Sequence, residues 1–220
     1  MQSRDDYIEF LLEEAESEIP YDPEPIGRYN VSPGTKVLLL NNREGTLHLD
    51  PVIWSYAPSW WDKAPLINAR VETASTSRMF KPLWNHGRAI VFADGWYEWV
   101  RAGDKKQPYY IYRKDRKPLF FAAIGKQPFD VGDEAAGFLI VTAAADKGLI
   151  DIHDRRPLVF TSRAALEWMN PETTGAQASE LVHDAAVSAD EFTWHPVSLA
   201  VGNVKNQSPE LIKKTDKASL

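Results

Sequence analysis

The sequence predicts an α+β fold: a single domain over residues 1–220, with a curved, barrel-like, mainly antiparallel β-sheet and peripheral helices. Two observations carry this. Short segments rich in β-branched and aromatic residues follow one another through the middle of the chain, and helical periodicity is confined to its ends. Because strands do not alternate with helices, a doubly wound sheet is excluded.

The elements follow in order. Apolar residues Tyr7, Phe10 and Leu11, with Ile8 or Leu12, mark one side of an amphipathic helix from about Asp5 to Glu18. The stretch "IPYDPEPIG" then breaks it, since proline cannot continue a helix. Strands are expected in "KVLLL", "TLHLDPVIWSY", "RAIVFA", "GWYEWV", "QPYYIYR", "PLFFAAI" and "GFLIVTA". Turn chemistry in "NNREG", "RAGDKK" and "RKDRK" separates them. A helix in "SRAALEWM", with Ser162 as its cap, and another around "AQASELVHDA" complete the set. No internal repeat, low-complexity tract, P-loop, G-x-G-x-x-G or dividing linker is present.

Composition narrows the function. The 220 residues are 44% hydrophobic, enough for a substantial core, and no apolar run approaches membrane-spanning length. The first residues, "MQSRDDYIEF", are charged, so a soluble cytoplasmic protein is expected, and no signal for oligomerisation stands against a monomer. Cysteine is absent, which excludes disulfides, thiolate metal sites and cysteine nucleophiles from the chain as given. His48, His86, His153, His183 and His195 lie far apart, so neither a metal nor another cofactor is expected.

The net charge of −6 argues against a polyanionic partner, but it hides a patch. Residues 1–25 hold nine acids against Arg4 alone, whereas Leu66 to Pro118 carry eleven Lys and Arg against five acids. Trp84, Trp96, Tyr97, Trp99, Tyr109 and Tyr110 are interleaved with those cations. Aromatic faces among cations suit single-stranded nucleic acid, since bases stack on rings while cations track phosphates. A solvated strand surface over an aromatic core is the competing reading.

Three polar residues sit where their neighbours should bury them. Asn68 follows Leu66 and Ile67, and Glu98 shares a strand face with Trp96 and Val100, which should raise its pKa into the range useful for proton transfer. In "LIDIHDRRPLVF", Asp151 or Asp154 could fix the tautomer of His153, and the following arginines could bind phosphate. Each also has a plain structural reading: a histidine at a strand end, a glutamate paired with Arg88 or Arg70, an amide satisfying backbone groups. In "SYAPSWWDKAPLINAR", adjacent Trp60 and Trp61 should face opposite ways in an extended segment. An exposed indole near Arg70, Arg78 and Lys81 suits base stacking, and core packing suits it equally.

Several of these stretches, with others, resemble the SRAP-domain family of SOS-response-associated peptidases or abasic-site processing proteins, in particular its enterobacterial members. The matching segments are "RYNVSPGTKV", "PVIWSYAPSWWDKAPLINARVETASTSRMFKPLW", "GRAIVFADGWYEW", "KKQPYYIY", "FLIVTAAAD", "DIHDRRPLV" and "WHPVSLAVGNVKNQSPELI", in order along nearly the whole chain. The resemblance implies recognition of abasic sites in single-stranded DNA. It also implies a covalent link: autocatalytic removal of the initiator methionine exposes an N-terminal cysteine, which captures the ring-opened sugar aldehyde as a thiazolidine. By motif, Asn68 of "INAR" would orient the nucleophilic terminus, Glu98 of "GWYEW" would handle protons, and His153 of "HDRRP" would assist ring opening. Arg70, Arg78 and Arg155 would contact phosphates, and Trp60 or Trp61 would stack or separate bases.

The chain departs from the family pattern at the leader, where members begin Met-Cys-Gly-Arg-Phe or similar. Either it begins at an internal methionine, or it is a member that binds abasic DNA without crosslinking; the intact chemical positions favour the first. Met1 offers an amine without a thiol, so a reversible Schiff base is the most this terminus would form. A hydrolase using Glu98 and His153 on a small molecule is a third reading, and it would need a closed, mostly apolar pocket.

Overall fold

In the computed structural model, residues 4–12, 27–126 and 137–215 are described. The first helix, α1 (Arg4–Leu12), packs Tyr7, Ile8 and Leu11 into the core, as its apolar side predicts. Residues 13–18 of the expected helix and most of the proline-rich stretch after it lie outside the described residues.

The strands and helices that follow are β1 (Lys36–Arg43), β2 (Thr46–Ile53), β3 (Asn68–Arg70), α2 (Val71–Ala74), α3 (Lys81–His86), β4 (Arg88–Ala93), β5 (Trp96–Ala102), β6 (Lys105–Arg113), β7 (Leu119–Gly125) and β8 (Phe138–Ala144). Beyond a 3₁₀ turn at Lys147–Asp151 come β9 (Arg155–Pro157), β10 (Val159–Phe160), α4 (Ser162–Met169), α5 (Gly175–Asp184) and β11 (Phe192–Pro196). Ser162 is the first helical residue of α4 and not its cap; extended Thr161 caps it, accepting the Ala164 N–H at 3.3 Å.

Among the described residues, eight strands form one sheet along the path β2-β1-β4-β7-β8-β3, with β10 beside β7 and β9 beside β8. Neighbours pair antiparallel except β3, which runs parallel to β8. The sheet is curved, as expected, and stays open. A smaller sheet, β11-β6-β5, lies apart from it. Two-residue turns connect the hairpins: Glu44 and Gly45, both at positive φ, join β1 to β2, while Gly103 at φ 61° opens the turn from β5 to β6.

Both faces of the large sheet are covered, which explains why all seven residues of β7 are buried. Phe120, Ala122 and Ile124 join a core with α1, α3, α4 and α5, centred on Trp84 and Trp168 in an edge-on pair 5.0 Å apart. Alternate residues Leu119, Phe121 and Ala123 join a second core with Trp96, Ile111 and Phe192 of the small sheet. Helices, large sheet and small sheet thus form successive layers.

Candidate active site

Between the two sheets lies a cavity of about 790 Å³ whose wall includes Asn68, Glu98 and His153, brought together from β3, β5 and the segment before β9. Among the described residues, no group of three His, Cys, Asp or Glu side chains is placed to hold a metal ion.

Glu98 occupies the middle of β5, opposite Tyr109 of β6. Strand alternation puts it on the face of Trp96, which is wedged edge-on against Phe121 and Phe192 at 6.0 and 5.2 Å. Gly95 makes this placement possible, since a Cβ there would lie 2.4 Å from the Ile111 carbonyl oxygen. Burial pushes the Glu98 carboxyl up to about 7, while the facing imidazole of His153 pulls it down. A carboxyl in that range exchanges protons at neutral pH, as the sequence led us to expect. The predicted structural partner Arg88 is elsewhere: buried against α3 and α4, it donates to the carbonyls of Trp84, Asn85, Trp168, Asn170 and Thr173.

His153 is held by its backbone. Its N–H donates to the Leu149 carbonyl at 3.0 Å, and the next residue, Asp154, accepts from Ala145 at 2.9 Å. Nδ1 accepts the Arg155 backbone N–H at 3.0 Å, and the Asp154 carboxylate lies 3.3 Å from the same nitrogen. A donor and two acceptors, the Arg155 carbonyl at 3.1 Å and the Asp154 carboxylate, thus surround this nitrogen. Asp154, not Asp151, is the carboxylate at this imidazole.

Asn68 opens β3 opposite Ile140. The preceding Ile67 carbonyl accepts from Ile140 N–H at 3.1 Å and from the Trp54 indole at 2.9 Å, which fixes the strand. Asn68 itself is exposed on the cavity wall, not buried as its neighbours suggest, because the buried position falls on Ala69. Its carboxamide makes no hydrogen bond with a described residue, leaving a donor and an acceptor for whatever enters.

Arg155 also borders the cavity, but its guanidinium turns to Glu72, with Nη1 and Nη2 donating at 2.6 and 2.9 Å. Arg70 and Arg78 are exposed, outside the cavity wall and without an ion pair to a described residue. Trp60 is 64% exposed. Its ring meets Trp61 edge-on at 6.0 Å, so the two indoles do not face opposite ways; a turn closed by Trp61 N–H to the Pro58 carbonyl at 2.8 Å replaces the expected extended segment. Trp61 is anchored through its own indole N–H to the Ala64 carbonyl at 2.9 Å, with Lys63 over its face.

Sequence reasoning gave no role to Glu72 or Thr142, and it read Arg156, with Arg155, as an arginine that could bind phosphate. Arg156 is buried in the cavity wall with its guanidinium over Phe192, and its Nε and Nη1 have no acceptor among the described residues. The doublet "RR" was the signal for Arg156; nothing local marks Thr142.

Comparison with known proteins supplies the remaining constraint. The family described as SOS response associated peptidase (SRAP) matches residues 3–204. Abasic site processing protein YedK of Escherichia coli is 69% identical over 212 residues, covering 96% of this chain and 96% of that protein. Abasic site processing protein YoqW of Bacillus subtilis is 32% identical over 216 residues, covering 95% and 94%. Among solved structures, a phage-related protein from Bordetella bronchiseptica superposes with a TM-score of 0.74 at 34% identity, over 89% of this chain and 91% of that one.

Proposed function

The chain belongs to the SRAP family, SOS response associated peptidases, and on that footing we propose that it is an abasic-site processing protein acting on single-stranded DNA. The observation that carries the reading is the 69% identity to Abasic site processing protein YedK over nearly the whole of both chains. The meeting of Asn68, Glu98 and His153 at one cavity supports the roles given to them. The family identity also weighs against a small-molecule hydrolase.

In this reading the open-chain aldehyde of an abasic deoxyribose enters the cavity as part of an unpaired strand. His153 transfers a proton at the sugar as the ring opens. Asn68 orients an attacking amine through its carboxamide. Glu98, poised near neutrality, gives up and takes back the protons that move as amine and carbonyl condense to an imine and release water. A thiol on the same residue would then add to the imine carbon and close a thiazolidine, a bond that outlasts denaturation. Arg70 and Arg78 serve the phosphates, Arg155 joins them only where its fork leaves Glu72, and Trp60 and Trp61 serve the bases. The domain works as one unit over residues 1–220, as a monomer in the cytoplasm, and removal of an initiator methionine would use the same carboxyl.

The absence of cysteine from the 220 residues favours a second reading for this chain, that it binds abasic DNA without a lasting covalent bond. A denaturing gel with an abasic single-stranded oligonucleotide separates the two, run on this chain and on a version beginning Met-Cys. The expected result is a stable adduct for the Met-Cys version alone, with salt-sensitive binding by both that favours abasic over intact strands. If neither version distinguishes abasic from intact DNA, the proposed function fails.

A further inference from the structure

We propose that Glu72 is a positioning residue for His153, acting through Arg155 as a strut that fixes the backbone of Arg155, on which the imidazole rests. The catalytic meaning of this inference rests on the function proposed above; its geometry does not. Glu72 lies in α2, on the segment that begins with Asn68. Its two carboxylate oxygens take both terminal nitrogens of Arg155, at 2.6 and 2.9 Å, a planar fork meeting a planar acceptor. Nη2 also donates to the Thr142 carbonyl at 2.6 Å and reaches its hydroxyl at 3.3 Å. Arg155 is thereby gripped from both α2 and β8. Its backbone then meets Nδ1 of His153, the N–H at 3.0 Å and the carbonyl at 3.1 Å. One continuous chain of contacts links the segment carrying Asn68 to the ring of His153.

Stability is not what this pair supplies. The Glu72 side chain is 48% exposed and that of Arg155 20%, and exposed ion pairs are worth about 0–1 kcal/mol. Geometry is: a bidentate contact braced by a third acceptor sets the guanidinium plane, and with it the start of β9. A fork so engaged reaches a DNA phosphate only if Glu72 releases it. Arg155 is therefore framework for the imidazole before it is a clamp for the strand.

The test is read on the imidazole itself. Nitrogen-15 spectra of the histidine rings are recorded for the unliganded chain and for Glu72→Gln, Arg155→Lys and the double variant. The Nδ1 resonance of His153 should shift and broaden in each single variant, while those of His48, His86, His183 and His195 stay in place. The double variant should add nothing beyond the larger single effect, since both changes cut one path. In the version beginning Met-Cys, Glu72→Gln should slow capture of an abasic oligonucleotide about tenfold, as loss of an orienting partner does elsewhere, with affinity for that strand within about twofold of the parent. An unmoved His153 resonance in Glu72→Gln overturns the proposal. So does an affinity gain of about fivefold or more, because Glu72 would then be a competitor for a phosphate at Arg155. If every version is indifferent to abasic DNA, the proposed function falls, and the resonance still decides the strut.

Discussion

Burial pushes the carboxyl of Glu98 up to about 7, and the His153 imidazole on the same cavity wall pulls it down. They are distant in sequence and meet because β5 and the segment before β9 border the same cavity. A pH–rate profile of the proposed reaction should inflect near pH 7 with this carboxyl, and Glu98→Gln should remove that inflection.

That burial carries a stability signature. The folded-state pKa lies above the ordinary value of 4.5, so between about 4.5 and 7 the folded chain holds a proton that the unfolded chain has lost. This contribution is present below that window and lost as pH rises through it. Glu98→Gln, neutral at every pH, should match the parent near pH 4 and exceed it near pH 8 by on the order of 3 kcal/mol at most. Urea unfolding at pH 4, 6 and 8 reads this directly. A difference that stays constant with pH would remove the buried acid from the account.

The legible part of this protein is the part governed by local pattern. The strand at Trp96–Ala102 follows from alternation, and with it the burial and raised pKa of Glu98. The helix α4 follows from its apolar spacing, although its cap fell on Thr161 and not Ser162, because either hydroxyl satisfies the same rule. What local pattern cannot supply is pairing across distance. The parallel contact of β3 with β8 exposes Asn68 and buries Ala69, and no feature of "LINAR" announces it. Arg88 in "HGRAI" suggests a partner for Glu98, yet it is buried against carbonyls at the end of α3 and in the last turn of α4. Glu72 likewise acquires its meaning only from Arg155, 83 positions away.

His153→Ala in the version beginning Met-Cys should slow adduct formation about 10²-fold, the lower range for loss of one general acid–base group. In the proposed reading the imidazole transfers a proton and holds no phosphate, so strand affinity should change little. Single-turnover gel kinetics beside equilibrium anisotropy separate the two quantities. Equal losses in both would make the histidine a binding or folding residue.

Arg88→Met tests the anchor at the opposite face of the large sheet. The side chain is 5% exposed and holds carbonyls of α3, of the last turn of α4 and of the loop that follows α4. Removing the donors leaves buried acceptors unsatisfied, a loss of about 3 kcal/mol or more. Denaturant unfolding should show it as a lower midpoint, with the pH dependence assigned to Glu98 unchanged. A variant as stable as the parent would mean that water replaces the guanidinium.

In the proposed reading, Trp60 and Arg78 divide the strand contact into its stacking and electrostatic parts. With Trp60 64% exposed, Trp60→Ala leaves the core intact and should not lower the melting temperature. If a base stacks on the indole, the change costs about 1–3 kcal/mol of strand affinity, with the salt dependence unaltered. Arg78→Gln should behave in the opposite way. One lost phosphate contact lowers the slope of log K against log salt by about 0.7 for a single strand, and it weakens abasic and intact strands alike. Anisotropy titrations across a salt series, on both variants and both strands, give slope and intercept separately. Trp60→Ala that changes the slope, or Arg78→Gln that changes only the preference for the abasic strand, would reverse these assignments and move the phosphate track away from the α2–α3 surface.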